Sequence, residues 1–548
     1  MRSYLLVAAV FMPLVATLAA EPAQVVRPFE TKGTLDSTNP IDAAVLAKLR
    51  KQNIEPANLC SDEVFVRRVY LDVIGTLPEP EAVTAFLEDS RSDKRAVLID
   101  DLLARAQFAE YWGMKWGDLL RVKAEYPINL WPNAVQAYDR WIREALKQNR
   151  PYDRFVRELL ISSGSNFRDP PVNFYRAIQG REPAVIAEAV ALNFMGTRLA
   201  SWPKERRDEM AFFFSRVAYK STAEWKEEIV YFQPATGGPM EAVLPDGKKV
   251  RIQPNEDPRR VFADWLIAPD NPWFARNMAN RIWAWLMGRG IVHEPDDIRP
   301  DNPPANPDLL AYLEQELVKS DYDLRHVYRL ILNSRTYQQS SIPRSDRPDA
   351  EKLFAFYPVR RLDAEVLMDA LCWLSGTGEQ YSSLIPEPAT FLPTDRRSID
   401  LGDGSISSPF LEMFGRPPRD TGLESERNNQ PTDAQRLHLL NSTDIQRRLE
   451  RSPRFRKVLD EAKGNPREVM RGLYLTILSR YPTDSELKEV RAHIESSGIR
   501  GREAFKDLAW ALINSKEFLY RHGARGQASR CPGRTRVQSC PPCPATRI

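Results

Sequence analysis

Asn39-Pro40 sets a helix N-cap directly before a proline at the first helical position, and Asn306-Pro307 repeats the device. Helix signals of this kind dominate a chain that has 43 prolines against 25 glycines. After Pro40, the residues Ile41, Val45, Leu46 and Leu49 form one apolar stripe. After Pro307, Leu309, Leu310, Leu313 and Leu317 do the same. Asp323 caps a helix whose buried side carries Leu324, Val327, Leu330 and Ile331. Thr483 and Glu486 form a capping box ahead of Leu487, Val490 and Ile494. Residues 134–147 and 152–160 supply two more helices, the second started by Pro151.

One region breaks the helical pattern. Glu228-Ile-Val-Tyr-Phe232 is a β-type run, and residues 240–244 and 249–253 flank the hairpin turn Pro245-Asp246-Gly247. Asp257-Pro258 then opens a second helical half, which contains a long loop over residues 385–408. A weak internal echo relates Tyr70–Pro78 to Tyr474–Pro482; each is read as a helix ending at its proline and packing on a helix with Phe108 or Phe518. The fold expected is mainly α, two helical domains with a small β-hairpin insertion between them. The boundaries are a signal peptide at 1–20, a linker at 21–39, helical domains at 40–227 and 256–521 flanking a β element at 228–255, and a disordered tail at 522–548.

Residues 1–20 have the layout of a secretory signal: Arg2, an apolar stretch from Leu5 to Leu18, then Ala19-Ala20 before Glu21. Export places the chain in the periplasm or outside the cell, with no transmembrane span in the mature chain. Only Cys60 and Cys372 lie in the body, and they pair only if the fold brings them together. The net charge is +3, and Arg2 and the arginines of residues 523–548 account for it, so the body is mildly acidic. A nucleic-acid partner is not expected from that balance. The tail carries Cys540-Pro-Pro-Cys543, without the helix or second Cys/His pair that a redox or zinc site needs. It has no apolar face to bury, so its deletion is expected to leave the melting temperature unchanged.

Arg67-Arg-Val-Tyr-Leu-Asp-Val-Ile-Gly-Thr-Leu-Pro78, Phe86-Leu-Glu-Asp89 and Tyr111-Trp-Gly-Met-Lys-Trp-Gly-Asp118 resemble the domain-of-unknown-function family 1549. Ala275-Arg-Asn-Met-Ala-Asn-Arg-Ile-Trp283, Gly288-Arg-Gly-Ile-Val292, Arg361-Leu-Asp-Ala-Glu365 and Phe414-Gly-Arg-Pro417 resemble its usual companion, family 1553. The resemblance implies planctomycete-type, cytochrome-associated exported proteins, and it supplies no catalytic residues. Members of the first family usually carry Cys-x-x-Cys-His, the pattern that attaches c-type haem. Here Phe194-Met-Gly-Thr-Arg-Leu199 matches the lead-in and Trp202 begins the segment that follows, with only Ala200 and Ser201 between. Covalent haem at this place is excluded by the absence of Cys and His, so no cofactor is expected. The second family usually has a Cys-acid-Cys-acid-Arg run where this chain reads Leu423-Glu424-Ser425-Glu426-Arg427. Losing both thiol sites together implies that Ala200–Trp202 and Leu423–Ser425 lie near one another.

The five histidines are scattered, so no metal site is expected. Glu294, Asp296, Asp297 and Asp301 lack the order of a calcium loop. Asp363 and Glu365 stand beside Arg360 and Arg361, where ion pairing is expected. Trp273, Trp283 and Trp285 flank Arg276 and Arg281 and read as helix-core packing. The densest charged cluster is Arg416, Arg419, Asp420, Glu424, Glu426 and Arg427, the candidate ligand-binding set. Such a set binds an anion or a sugar, or else braces the domain as ion pairs. The functional expectation is a binding or assembly component of the cell envelope, related to haem-associated proteins, with envelope proteins or polysaccharide as partners. The alternative is a carbohydrate-active hydrolase using carboxylates near Asp420 and Glu426.

Overall fold

A computed structural model describes residues 25–521 apart from 442 and 498–500. The signal at 1–20 and the tail at 522–548 lie outside the described residues. Both Asn-Pro pairs start helices: Asn39 Oδ1 accepts the Ile41 amide at 2.8 Å before Pro40–Lys51, and Asn306 Oδ1 accepts that of Leu309 at 3.2 Å before Pro307–Lys319. The stripes predicted for both are buried. Asp323 caps Leu324–Asn333, and there Tyr328 takes the buried place expected of Leu330, which is half-buried. The capping box is reciprocal, with the Glu486 amide donating to Thr483 Oγ1 and the Thr483 amide to Glu486 Oε2. Pro132–Lys147 starts two residues before the expected helix, and Pro151 serves as the cap of Tyr152–Ile161.

The chain is mainly α with a small β insertion. Strands β1 (Gly164–Ser165), β2 (Val217–Ser221) and β3 (Glu228–Phe232) form an antiparallel sheet in the order β1-β3-β2. Strands β4 (Met240–Val243) and β5 (Lys249–Ile252) form the separate hairpin predicted around Pro245-Asp246-Gly247. Sequence periodicity missed β1 and β2. β2 is half-buried to exposed along its length, so it shows no apolar alternation. Residues 385–408 are a loop with one 3-10 turn, Ser398–Asp400.

The two helical halves meet on an aromatic cluster. Trp112 and Trp116 of Ala106–Leu119 face Trp285 of Phe274–Met287 with centroids 5.2 and 6.2 Å apart, and Trp112 lies 4.6 Å from Tyr328. Trp283 and Trp285 are core, as expected, while Trp273 is half-buried. Among the described residues no helix is long and apolar enough to cross a membrane. Cys60 and Cys372 are both free thiols.

The internal echo appears in the element order. Asp62–Val73 and Pro466–Leu478 each lead through a left-handed residue to a proline, then through two further helices to one that begins near Phe108 or Phe518. Neither helix reaches its proline. Gly75 at φ +63° and Ser479 at φ +58° turn the chain first. Gly75 has a second constraint: a Cβ there would stand 2.6 Å from the Tyr111 ring.

Candidate functional site

The segment Arg416–Arg427 follows the short helix Pro409–Met413 and lies across the end of Ala106–Leu119. Arg419 takes a left-handed backbone at φ +62° and buries its guanidinium beneath that helix. Its Nε donates to Asp118 Oδ1 at 2.9 Å, and its terminal nitrogens donate to the carbonyls of Gly402, Val122 and Met114 at 2.6, 3.3 and 3.3 Å. Gly117 permits this approach, since a Cβ there would meet Arg419 at 2.9 Å. The Trp-Gly-Asp sequence ending at Asp118 is therefore a seat for Arg419.

Arg427 shares the same carboxylate. It donates to Asp118 Oδ2 at 2.7 Å and to both oxygens of the fully buried Glu365 at 2.7 and 3.0 Å. Arg416 lies 3.4 Å from Glu365 and spends its terminal nitrogens on the carbonyls of Asp403, Gly404 and Ile406. Next to this, Asp363 receives Arg521 at 2.8 Å, Lys115 at 3.1 Å and the Tyr111 hydroxyl at 3.0 Å. Arg521 also pairs with Asp72, which accepts from the hydroxyls of Tyr337 and Tyr357. Burial alone would raise Asp118 and Asp363. The cations outweigh it, holding Asp118 below and Asp363 well below the usual carboxylate range. Asp363 and Glu365 are ion-paired as expected, but with Arg521, Arg427 and Arg416. Arg360 instead faces Asp72 at 3.6 Å, and Arg361 donates to the carbonyls of Phe414, Asn428 and Asn429.

The three acids of the candidate set lie nearer the surface. Asp420 accepts from Lys123 Nζ at 2.7 Å. Glu426 Oε1 caps the amides of Asp420 and Thr421 at 2.9 and 3.3 Å. Glu424 accepts from Trp285 Nε1 at 3.0 Å and Arg281 at 3.3 Å, and its own amide donates to Asp296 at 2.6 Å. Burial lifts both Glu424 and Glu426 above the usual range. The closed space that Glu424 and Arg427 border measures about 10 Å³, room for one water.

The lead-in segment joins this corner through a missed residue. Pro183–Val190 continues into a π turn, Ala191–Met195, which ends at the left-handed Gly196. Asn193 in that turn is buried; it donates to Leu119 O at 2.9 Å, and its Oδ1 accepts from Arg121, which in turn donates to Thr421 O. Asn277 donates to Asn193 O, and the Ile298 amide to Gly196 O. Arg198 reaches Glu294 at 3.2 Å. Asn193 and Arg121 thus tie the lead-in segment to Thr421, and among the described residues no hydrogen bond or ion pair joins Ala200–Trp202 to Leu423–Ser425. Ala200 and Ser201 themselves lie on a 3-10 turn, and the following Trp202 packs toward Trp273, centroids 6.0 Å apart.

The family described as a protein of unknown function, DUF1549 (PSCyt2), matches residues 40–211, and the family described in the same words, DUF1553 (PSD1), matches residues 258–494. The chain thus carries one region similar to each family. No curated protein and no solved structure matches it. In these terms the network is an interface. The DUF1549 region gives Asp72, Asp118, Arg121 and Asn193, and the DUF1553 region gives Arg281, Glu365 and the candidate segment. Arg521 joins it from beyond the DUF1553 match.

Among the described residues no three His, Cys, Asp or Glu side chains gather as a metal site. The acids weighed for calcium each face an arginine: Glu294 faces Arg198, Asp296 faces Arg281, and Asp297 and Asp301 face Arg299. The larger open spaces lie elsewhere. A groove of about 810 Å³ runs between the two family regions past Tyr70, Arg105, Cys372, Trp373 and Arg454, with Asp369 in its wall. Another, of about 580 Å³, lies between Pro132–Lys147 and the loop carrying Phe391.

Proposed function

We propose that the chain is an exported component of the cell envelope that binds or assembles with other envelope material. It descends from haem-associated relatives and carries no covalent haem of its own. The observation that carries this reading is the state of the candidate segment. Arg416, Arg419 and Arg427 are spent on buried carboxylates and backbone carbonyls that join the DUF1549 and DUF1553 regions. Charges committed in this way hold a shape and have little left for a substrate. The turn Leu199–Ser201 offers neither thiol nor imidazole, which supports the loss of haem. His293 flanks Glu294, the partner of Arg198, and supplies one imidazole where c-type attachment also needs two thiols.

Hydrolysis by Asp420, Glu424 and Glu426 would require two carboxyl groups bordering an open cleft. Glu424 borders a space for about one water, so binding or assembly is the better reading. The test is the absorption spectrum of the purified protein together with its cell fractionation. A Soret band that survives denaturing electrophoresis would overturn the haem statement. Recovery in the cytoplasm with residues 1–20 intact would overturn export.

A further inference from the structure

Trp225 is 65 % exposed at the tip of the β2–β3 hairpin. Single exposed aromatics are ordinary, but this one has company. Trp131, at the start of Pro132–Lys147, meets it edge to face with centroids 4.7 Å apart and planes at 84°. Lys226 Nζ stands 5.2 Å from the Trp131 ring centre and 5.5 Å from that of Trp225. Arg168 adds a second cation near the sheet, its side chain 79 % exposed and 3.8 Å from Glu227.

This corner is built at a backbone cost. Trp131 has φ +71° and Lys226 φ +61°, left-handed conformations that residues with bulky side chains adopt only when their surroundings impose them. The imposing contacts are present. Fully buried Asn166 accepts the Glu228 amide on Oδ1 at 2.9 Å and donates Nδ2 to the Lys226 carbonyl at 3.2 Å. Glu227 accepts from Ser165 Oγ at 2.5 Å and from Thr222 Oγ1 at 2.8 Å. The indole is thus presented on a pinned tip, which lowers the ordering cost of anything that binds it.

The surroundings choose the ligand. A protein interface needs a broad apolar core inside a polar rim. Here Lys226 stands against both rings, and Ser221 and Glu224 of the same hairpin are exposed. A sugar ring has an apolar C–H face and a hydroxyl edge, and fits one indole flanked by polar groups. The Lys226 ammonium on both rings favours a sugar that carries negative charge. We propose that Trp225, Trp131 and Lys226 form a binding platform for an acidic polysaccharide, with one sugar ring on Trp225 and its anionic group on Lys226. The proposal draws on the functional reading only for the compartment in which such a polymer is met.

The test is native affinity electrophoresis of the full chain through gels containing polygalacturonate or dextran. The wild type should be retarded by polygalacturonate and far less by dextran. Trp225→Ala should weaken polygalacturonate binding about tenfold, while Trp225→Tyr stays within about threefold. Lys226→Ala should erase the preference for the acidic glycan. Both positions are on the surface, so matching circular dichroism spectra keep the comparison clean. Absence of wild-type retardation by polygalacturonate would overturn the proposal, as would a Trp225→Ala variant that binds like the wild type. So would a Trp225→Ala variant that keeps polygalacturonate but loses a cross-linked envelope protein. A chain that fractionates with the envelope yet binds neither glycan would overturn the platform alone. A cytoplasmic chain that binds polygalacturonate through Trp225 would overturn only the envelope reading.

Discussion

Arg427 touches Asp118 and Glu365 at once, and Glu365 is fully buried. Arg427→Ala leaves both buried carboxylates short of a cation, and is expected to cost about 3–5 kcal/mol in urea unfolding. Arg427→Lys should recover only part, because one ammonium cannot copy a guanidinium bridging two acids. Arg436→Ala, at an exposed pair with Asp433, should stay within about 0.5 kcal/mol, and an equal loss at both positions would refute the bracing role. Asp369 behaves in the opposite sense to Asp118. Burial pushes it up to about 6 against Arg397 and the amides of Ser398 and Ile399. The folded chain therefore keeps this proton to higher pH than the unfolded chain. Its contribution is full below about pH 4 and is lost as pH rises through 6. Asp369→Asn should flatten the stability profile in that window by roughly 2–3 kcal/mol, and an unchanged slope would sink the assignment. The charged cluster at 416–427 was legible in the sequence because its residues are close together. Its partners were not. Asp118, Lys123 and Asn193 lie hundreds of positions away, and no local pattern links them to it.

At the scale of elements, helix starts were easier to read than helix stops. The starts at Pro40, Pro307 and Leu324 have a local signature: an Asn or Asp side chain on an amide two or three residues ahead. The stops at Val73 and Leu478 were assigned to Pro78 and Pro482, yet Gly75 and Ser479 end the helices first. The first helix braces the second stop: Arg67 of Asp62–Val73 donates to the Ile477 carbonyl at 2.9 Å, the Ser479 hydroxyl at 3.3 Å and the Phe518 carbonyl at 3.2 Å. Gly75→Ala adds a methyl group against the Tyr111 ring and a left-handed penalty, and should lose about 2–4 kcal/mol. Ser479→Gly relieves the same backbone conformation but gives up the Arg67 contact, so its net effect should lie within about 1 kcal/mol. Chemical denaturation of the two variants distinguishes them, and similar losses would remove the parallel between the turns. Strand β2 escaped notice for another reason. It is specified by pairing with β3 along all five residues, a long-range contact with no period of its own.

The whole molecule is held by contacts that ignore the family boundaries. Asp42, in the first helix, accepts the amides of Arg335 and Thr336 at 2.9 and 2.8 Å. Buried Arg68 donates to the carbonyls of Tyr337 and Gln339 at 2.6 and 2.8 Å. Arg521, past the end of the DUF1553 match, binds Asp72 from one family and Asp363 from the other. Removing either region strands the charges of its partner in an apolar interior and exposes the faces of Trp112, Trp116 and Trp285, so neither region has a closed core by itself. The full chain should therefore unfold in a single transition, coincident in near- and far-ultraviolet circular dichroism. A chain ended at residue 494 keeps both family regions but loses Arg502–Ile513, Phe518 and Arg521. Without Arg521, Asp72 and Asp363 lose their shared cation, and without Phe518 the Arg67 guanidinium loses a carbonyl and the ring 5.6 Å from its centre. Two such vacancies at one interface exceed the margin of about 5–15 kcal/mol that holds a typical domain once the packed helix goes with them. This truncation is expected to leave an aggregating or partly folded chain with no cooperative transition. A truncated protein that melts sharply near the wild-type temperature would show that each family region carries its own stability.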